Sequence, residues 1–126
     1  MAKILVIDDE KQICELLQKV LVHEGHEVLI AMDGEEGLPL FYVHHPNVVI
    51  TDIVMPKKNG LEVISELLHG RENTAVIAMT DGRRDAATEL SLKSGELAGI
   101  KGFLLKPFNF TQLLRIVHEI TEVQHS

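Results

Sequence analysis

Five short apolar runs punctuate the chain: Ile4-Leu5-Val6-Ile7, Val28-Leu29-Ile30-Ala31, Val48-Val49-Ile50, Ala75-Val76-Ile77-Ala78-Met79 and Phe103-Leu104-Leu105. Most are continuous instead of alternating apolar with polar, the pattern of strands buried on both faces. Between them apolar positions recur at helical spacing: Ile13, Leu16, Leu17, Val20 and Leu21, then Leu61, Ile64, Leu67 and Leu68, and last Phe110, Leu113, Leu114, Val117 and Ile120. Such stripes predict helices with one buried side. Asn109 with Gln112 three residues on has the form of a capping box and predicts a last helix that starts there and ends near Val123. Strand and helix alternating five times predict an α/β fold: a doubly wound, three-layer parallel sheet with right-handed crossovers. In such sheets ligands bind beyond the carboxyl ends of the strands, where strand order reverses.

Composition changes the picture only at the margins. The 126 residues are 45% hydrophobic and 25% charged, an ordinary globular balance with room for one sizeable core, so residues 1–126 read as a single domain. No repeat, low-complexity tract or linker is seen, and little chain follows the last helix, so no output domain is expected within these residues, whether they are a whole protein or a piece of a longer one. With 19 acids against 12 bases the formal charge is −7. That balance repels phosphate backbones and counts against direct nucleic-acid binding. One cysteine, Cys14, cannot form an internal disulfide, and no secretory leader opens the chain, so a cytoplasmic protein is expected. The longest apolar runs have about four to six residues, far short of the ~20 of a membrane-spanning helix.

Polar residues gather at the predicted carboxyl ends: Asp8 and Asp9 after the first run, Asp52 after the third, Thr80 after the fourth, and Lys106-Pro107 after the fifth. Carboxylates within a few ångströms of one another repel by roughly several kcal/mol per pair, so a positive partner must join them. Hard oxygen ligands with no His or Cys among them suit Mg²⁺, which retains waters and accepts a phosphate as a further ligand. A metal and an ammonium beside one carboxylate point to phosphoryl transfer, with the carboxylate as nucleophile. Asp52 is the candidate nucleophile, Asp8 and Asp9 would hold the ion, and Thr80 and Lys106 would bind phosphoryl oxygens. Each aspartate taken singly also reads as a helix cap or solvated loop residue.

Asp8-Asp9, Asp52-Ile53-Val54-Met55-Pro56 with Gly60, Thr80 and Lys106-Pro107-Phe108 together resemble the receiver domain of two-component response regulators over nearly the whole chain. The resemblance implies a flavodoxin-like fold of strand order 2-1-3-4-5. It implies that Asp52 accepts a phosphoryl group from a phosphohistidine on a sensor kinase or phosphotransfer protein, with Mg²⁺. Asp9, Asp52 and the backbone carbonyl of Val54 would ligate the ion directly and Asp8 through water. Thr80 would be the switch hydroxyl, Lys106 the phosphoryl-binding lysine, and Phe103 the aromatic switch residue, with the Lys106–Pro107 bond cis. Phe103 reads equally as a core residue of its strand. A downstream protein would be met on the face of the fourth helix, fifth strand and fifth helix.

Some positions depart from the family pattern. Asp81 follows Thr80 where a small residue is usual; its carboxylate would shield the site, repel the phosphoryl group or, as favoured, cap the next helix. Neither Val54 nor Gly82 offers a polar side chain to orient water, which predicts unassisted, intermediate to slow self-dephosphorylation. The 26 residues from Thr80 to Lys106 exceed the usual interval by about four, one helical turn, with Gly95 and Gly99 inside. Pro39 falls in the expected second helix and would kink or delay it. The seven histidines, His44-His45-Pro46 included, read as structural or solvated, Lys57-Lys58 as a solvated loop, and Cys14 as a small buried hydrophobe.

Two other functions compete. A Mg²⁺-dependent hydrolase with an aspartyl-phosphate intermediate would want a second acid two residues after Asp52, where Val54 stands. A receiver-like interaction module without phosphorylation would not need this full set of residues. Nucleotide binding is weakest, since neither glycine-rich phosphate motif occurs.

Overall fold

A computed structural model describes residues 1–53, 60–70, 73–80 and 99–125. The apolar runs form β1 (Lys3–Ile7), β2 (Glu27–Ala31), β3 (Val48–Asp52), β4 (Ala75–Thr80) and β5 (Gly102–Leu105). They pair in parallel in the order β2-β1-β3-β4-β5. Alternate residues of each strand face opposite layers, which explains the continuous apolar runs. Ile4 and Val6 join Cys14, Leu17, Leu21, Ile50, Met79, Leu113 and Val117 in one core. Leu5 and Ile7 join Leu38, Phe41, Val49, Leu67 and Val76 in the other. Burial on both faces holds for β1, β3 and β4. It does not hold for β2 and β5, which lie at the sheet edges and leave side chains partly or largely in solvent.

The helices are α1 (Lys11–His23), α2 (Gly34–His44), α3 (Gly60–Gly70) and a last helix, Phe110–His125. Asn109 Oδ1 accepts from the backbone N–H groups of Thr111 and Gln112, at 2.7 and 3.4 Å, so the last helix starts as the sequence suggests. It ends two residues beyond Val123. Pro39 lies inside α2 but does not delay it. Asp33 Oδ1 caps the helix by accepting from Glu36 N at 3.0 Å, while Glu36 Oε1 accepts from Met32 N at 3.1 Å. At the other end His45 takes a left-handed φ of 50°, so it is a helix terminus and not simply part of a polar loop. Cys14 is buried, as expected of a small hydrophobe.

Gly37 lets α2 lie directly on β1. A Cβ there would come 2.5 Å from Ile7 Cδ1 and 2.9 Å from its Cγ1, and Ile7 is fully buried. Gly37→Ala is expected to lower stability by about 1–3 kcal/mol despite alanine's better helix propensity. A midpoint in urea equal to or above that of the parent would refute the close approach.

At the amino ends of the strands, His26 ties β1 to the α1–β2 turn. Its Nδ1 accepts from Ala2 N at 3.1 Å, the His26 backbone N–H donates to Leu21 O at 3.1 Å, and Glu27 N donates to Ala2 O at 2.9 Å. Burial, aided by the positive chain terminus and opposed by Glu24, holds the imidazole below its ordinary pKa of 6.5. The unfolded chain therefore binds this proton first, and stability from His26 is lost as pH falls from about 6.5 through the lower folded value. Urea unfolding of the parent and His26→Gln should show a stability gap at pH 7.5 that narrows by pH 5.5; a gap independent of pH would count against the neutral-imidazole bond.

Candidate functional site

The chain order reverses between β1 and β3, so the residues leaving these two neighbours face a common crevice. Asp8 follows β1. Its backbone N–H donates to Ala31 O at 3.1 Å, and its Oδ1 accepts from Glu10 N at 2.8 Å in an Asx turn that leads into α1. Cys14 Sγ, from the first turns of α1, donates to Asp8 O at 3.3 Å. Burial and the neighbouring Asp8 charge push this thiol up to about 11, which makes it a poor nucleophile at neutral pH. Asp52 closes β3, in register with Met79, so Thr80 stands one residue further along the adjacent strand. Lys106 follows β5, and its backbone N–H donates to Thr80 O at 2.7 Å. The Lys106–Pro107 peptide bond is cis, as the resemblance implies.

Strand spacing puts β5 roughly 10 Å from β3, a gap that the lysine's four-carbon stem crosses. Lys106 Nζ lies 2.9 Å from Asp52 Oδ2, 2.7 Å from Asp8 Oδ2 and 3.0 Å from Glu10 Oε1. Its side chain is 8% exposed. Burial works against the ammonium, but contacts with Asp8, Asp52 and Glu10 outweigh it and hold the lysine above its usual range. Asp8, fully buried, is raised from the ordinary carboxylate value by that burial, against the opposing pull of Lys106 and the Glu10 N–H.

Asp8, Asp9, Glu10 and Asp52 each offer an oxygen, all within 4.8 Å of one another. One ammonium does not balance four carboxylates. Asp8 Oδ2 is in ion-pair contact with Lys106 but receives no hydrogen bond with donor geometry, leaving a buried lone pair for a further partner. An all-oxygen, anionic donor set with such an atom fits a hard divalent cation. Glu10 is the site residue that sequence reasoning missed. Its signal was adjacency to Asp8-Asp9, but only the fold shows Lys106 reaching it.

The structure brings together Asp8, Asp9, Asp52 and Lys106, and sets Thr80, 9% exposed, at the same edge. Phe103 corrects the core reading: Leu104 turns inward with no exposure, while Phe103 is 45% and Leu105 58% exposed on the opposite face of edge strand β5. Val54, Lys57, Lys58, Asp81, Gly82, Gly95 and the expected fourth helix lie outside the described residues. Gly99 is described, and a Cβ there would come 3.0 Å from Leu68 Cδ2.

A doubly wound sheet of this order, with an acidic cluster and a lysine at its switch point, defines a receiver-like α/β module. The profile of the response regulator receiver domain matches residues 4–118, and the chain belongs to that family, the signalling domain of two-component systems. It is 39% identical over 111 residues to the probable transcriptional regulator ycf27 of Cyanophora paradoxa, covering 88% of this chain and 44% of that protein. It is 33% identical over 125 residues to the transcriptional regulatory protein CpxR of Klebsiella pneumoniae, covering 99% and 51%. The chain thus spans about half the length of these curated relatives. Among solved structures, a receiver domain protein from Clostridium thermocellum superposes with a TM-score of 0.85 at 32% identity, over 99% of this chain and 98% of that one. The response regulator TrrA of Thermotoga maritima, in complex with Mg²⁺–BeF, superposes with a TM-score of 0.81 at 33% identity, over 95% and 99%. Among the described residues no helix is long and apolar enough to cross a membrane.

Proposed function

We propose that residues 1–126 form one receiver domain that accepts a phosphoryl group from phosphohistidine onto Asp52 and thereby switches protein contacts. The observation that carries this reading is Lys106 Nζ held 2.9 Å from Asp52 Oδ2 inside a cluster of four carboxylates. An oxygen of Asp52 attacks phosphorus, the phosphorus–nitrogen bond breaks, and the electron pair leaves with the imidazole of the donor. Asp8, Asp9 and Asp52 would hold Mg²⁺, joined by the Val54 carbonyl. The ion would neutralise charge on the transferring group. Lys106 and Thr80 would then take phosphoryl oxygens and report the group to the rest of the sheet.

Sensor kinases or histidine phosphotransfer proteins are the proposed donors. The exposed pair Phe103 and Leu105 on β5 supports an output surface on this side of the domain. Relatives named as transcriptional regulators are about twice as long as this chain, so the expectation that no nucleic acid is contacted finds no support for a longer protein. Phe103 is proposed as the aromatic switch. On addition of Mg²⁺ and beryllofluoride its ring signals should shift as the ring leaves solvent, and unchanged signals in a protein that binds the mimic would remove it from the mechanism.

The test is intact mass after incubation with acetyl phosphate. A gain of ~80 Da that requires Mg²⁺ supports acceptance. No gain under any condition would favour an interaction module that keeps the residues without the reaction.

A further inference from the structure

On the phosphoryl-acceptance reading above, we propose that Glu10 is a positioning residue: its carboxylate holds the Lys106 ammonium before phosphorylation and is the partner that yields to the phosphoryl group. An ammonium has three N–H donors. Those of Lys106 face Asp52 at 2.9 Å and Glu10 at 3.0 Å in hydrogen bonds, with Asp8 in ion-pair contact at 2.7 Å. These three oxygens surround the ammonium, so a phosphoryl oxygen arriving at Asp52 competes with them for it. Asp8 cannot leave: it is fully buried, and its Oδ1 is tied to Glu10 N. Asp52 carries the group itself. The Glu10 side chain is 56% exposed and makes no capping hydrogen bond at the start of α1, so water can solvate it on release. While held, Glu10 also adds negative charge beside the other three carboxylates, each offering an oxygen within 4.8 Å.

These two roles have opposite signs. The Glu10 carboxylate strengthens the site for a divalent cation and competes with a phosphoryl group for Lys106. The experiment titrates Mg²⁺ alone, and then beryllofluoride at saturating Mg²⁺, into the parent, Glu10→Gln and Glu10→Asp, followed by ¹H–¹⁵N spectra that include the Lys106 ammonium. Glu10→Gln should bind Mg²⁺ about two- to fivefold more weakly and beryllofluoride about two- to fivefold more tightly. Glu10→Asp keeps the charge but is one methylene too short to reach Lys106. It should hold Mg²⁺ as the parent does and match Glu10→Gln toward beryllofluoride. In Glu10→Asp, which loses the contact, the Lys106 ammonium signal should broaden before any ligand is added. Beryllofluoride affinity unchanged or weakened in either variant, in a parent that binds it, would overturn the role of Glu10 alone. A parent that takes up neither beryllofluoride nor a phosphoryl group would overturn the acceptance reading beneath it.

Discussion

Asp52→Asn is expected to show no ~80 Da adduct after incubation with acetyl phosphate and Mg²⁺, under conditions where the parent is modified. The amide is nearly isosteric and its oxygen can still accept from Lys106, so the fold should persist. The change also removes repulsion between the buried Asp8 and Asp52, whose oxygens lie within 4.8 Å of each other, on the order of 3 kcal/mol or more at an effective dielectric near 20. The variant should therefore melt at or above the parent temperature, which separates lost chemistry from lost structure. Modification of Asp52→Asn at the parent rate would place the acceptor elsewhere.

Lys106→Met should have the largest effect on stability of any single change at the site. It retains most of the stem and deletes the charge that faces Asp8, Asp52 and Glu10. Removing one partner from a buried ionic group strands the others, at a cost of about 3–5 kcal/mol, a large part of the 5–15 kcal/mol that holds a typical domain together. Thermal unfolding without divalent ions should fall by roughly 10–20 °C. Millimolar Mg²⁺, or a second substitution Asp8→Asn, should recover part of that loss by restoring charge balance. A melting temperature within a degree or two of the parent would show that Lys106 is not the counter-charge of the cluster. Phosphoryl acceptance should survive in part, with a weakened response at Phe103.

The layers were legible because β1, β3 and β4 carry uninterrupted apolar runs that only a doubly covered sheet can bury, whereas the strand order came from the resemblance to receiver domains. Asp8, Asp9, Asp52, Thr80 and Lys106 were legible for the same reason, each following a run whose end could be placed. Phe103 was not, because Phe103-Leu104-Leu105 has no polar member to mark the outward face of an edge strand. The start of α2 was written in Asp33 and Glu36, a cap and its partner three residues apart, and Pro39 sits inside the helix without delaying it. Glu10 joins the site through a side chain 96 positions away, a contact that only tertiary structure specifies.

That separation bears on how the domain is made. β5 pairs with β4 alone and lies two strands away from β3, yet it delivers the one cation within ion-pair distance of Asp8 and Asp52 among the described residues. During folding, β1 and β3 can pair while their carboxylates still face each other without a counter-charge. Docking of the last strand relieves that repulsion, so a contact between residues 96 positions apart, Glu10 and Lys106, forms only once β5 has joined β4. Partly folded chains in which β5 has not docked would carry an open edge on β4 and an acidic pocket without its ammonium.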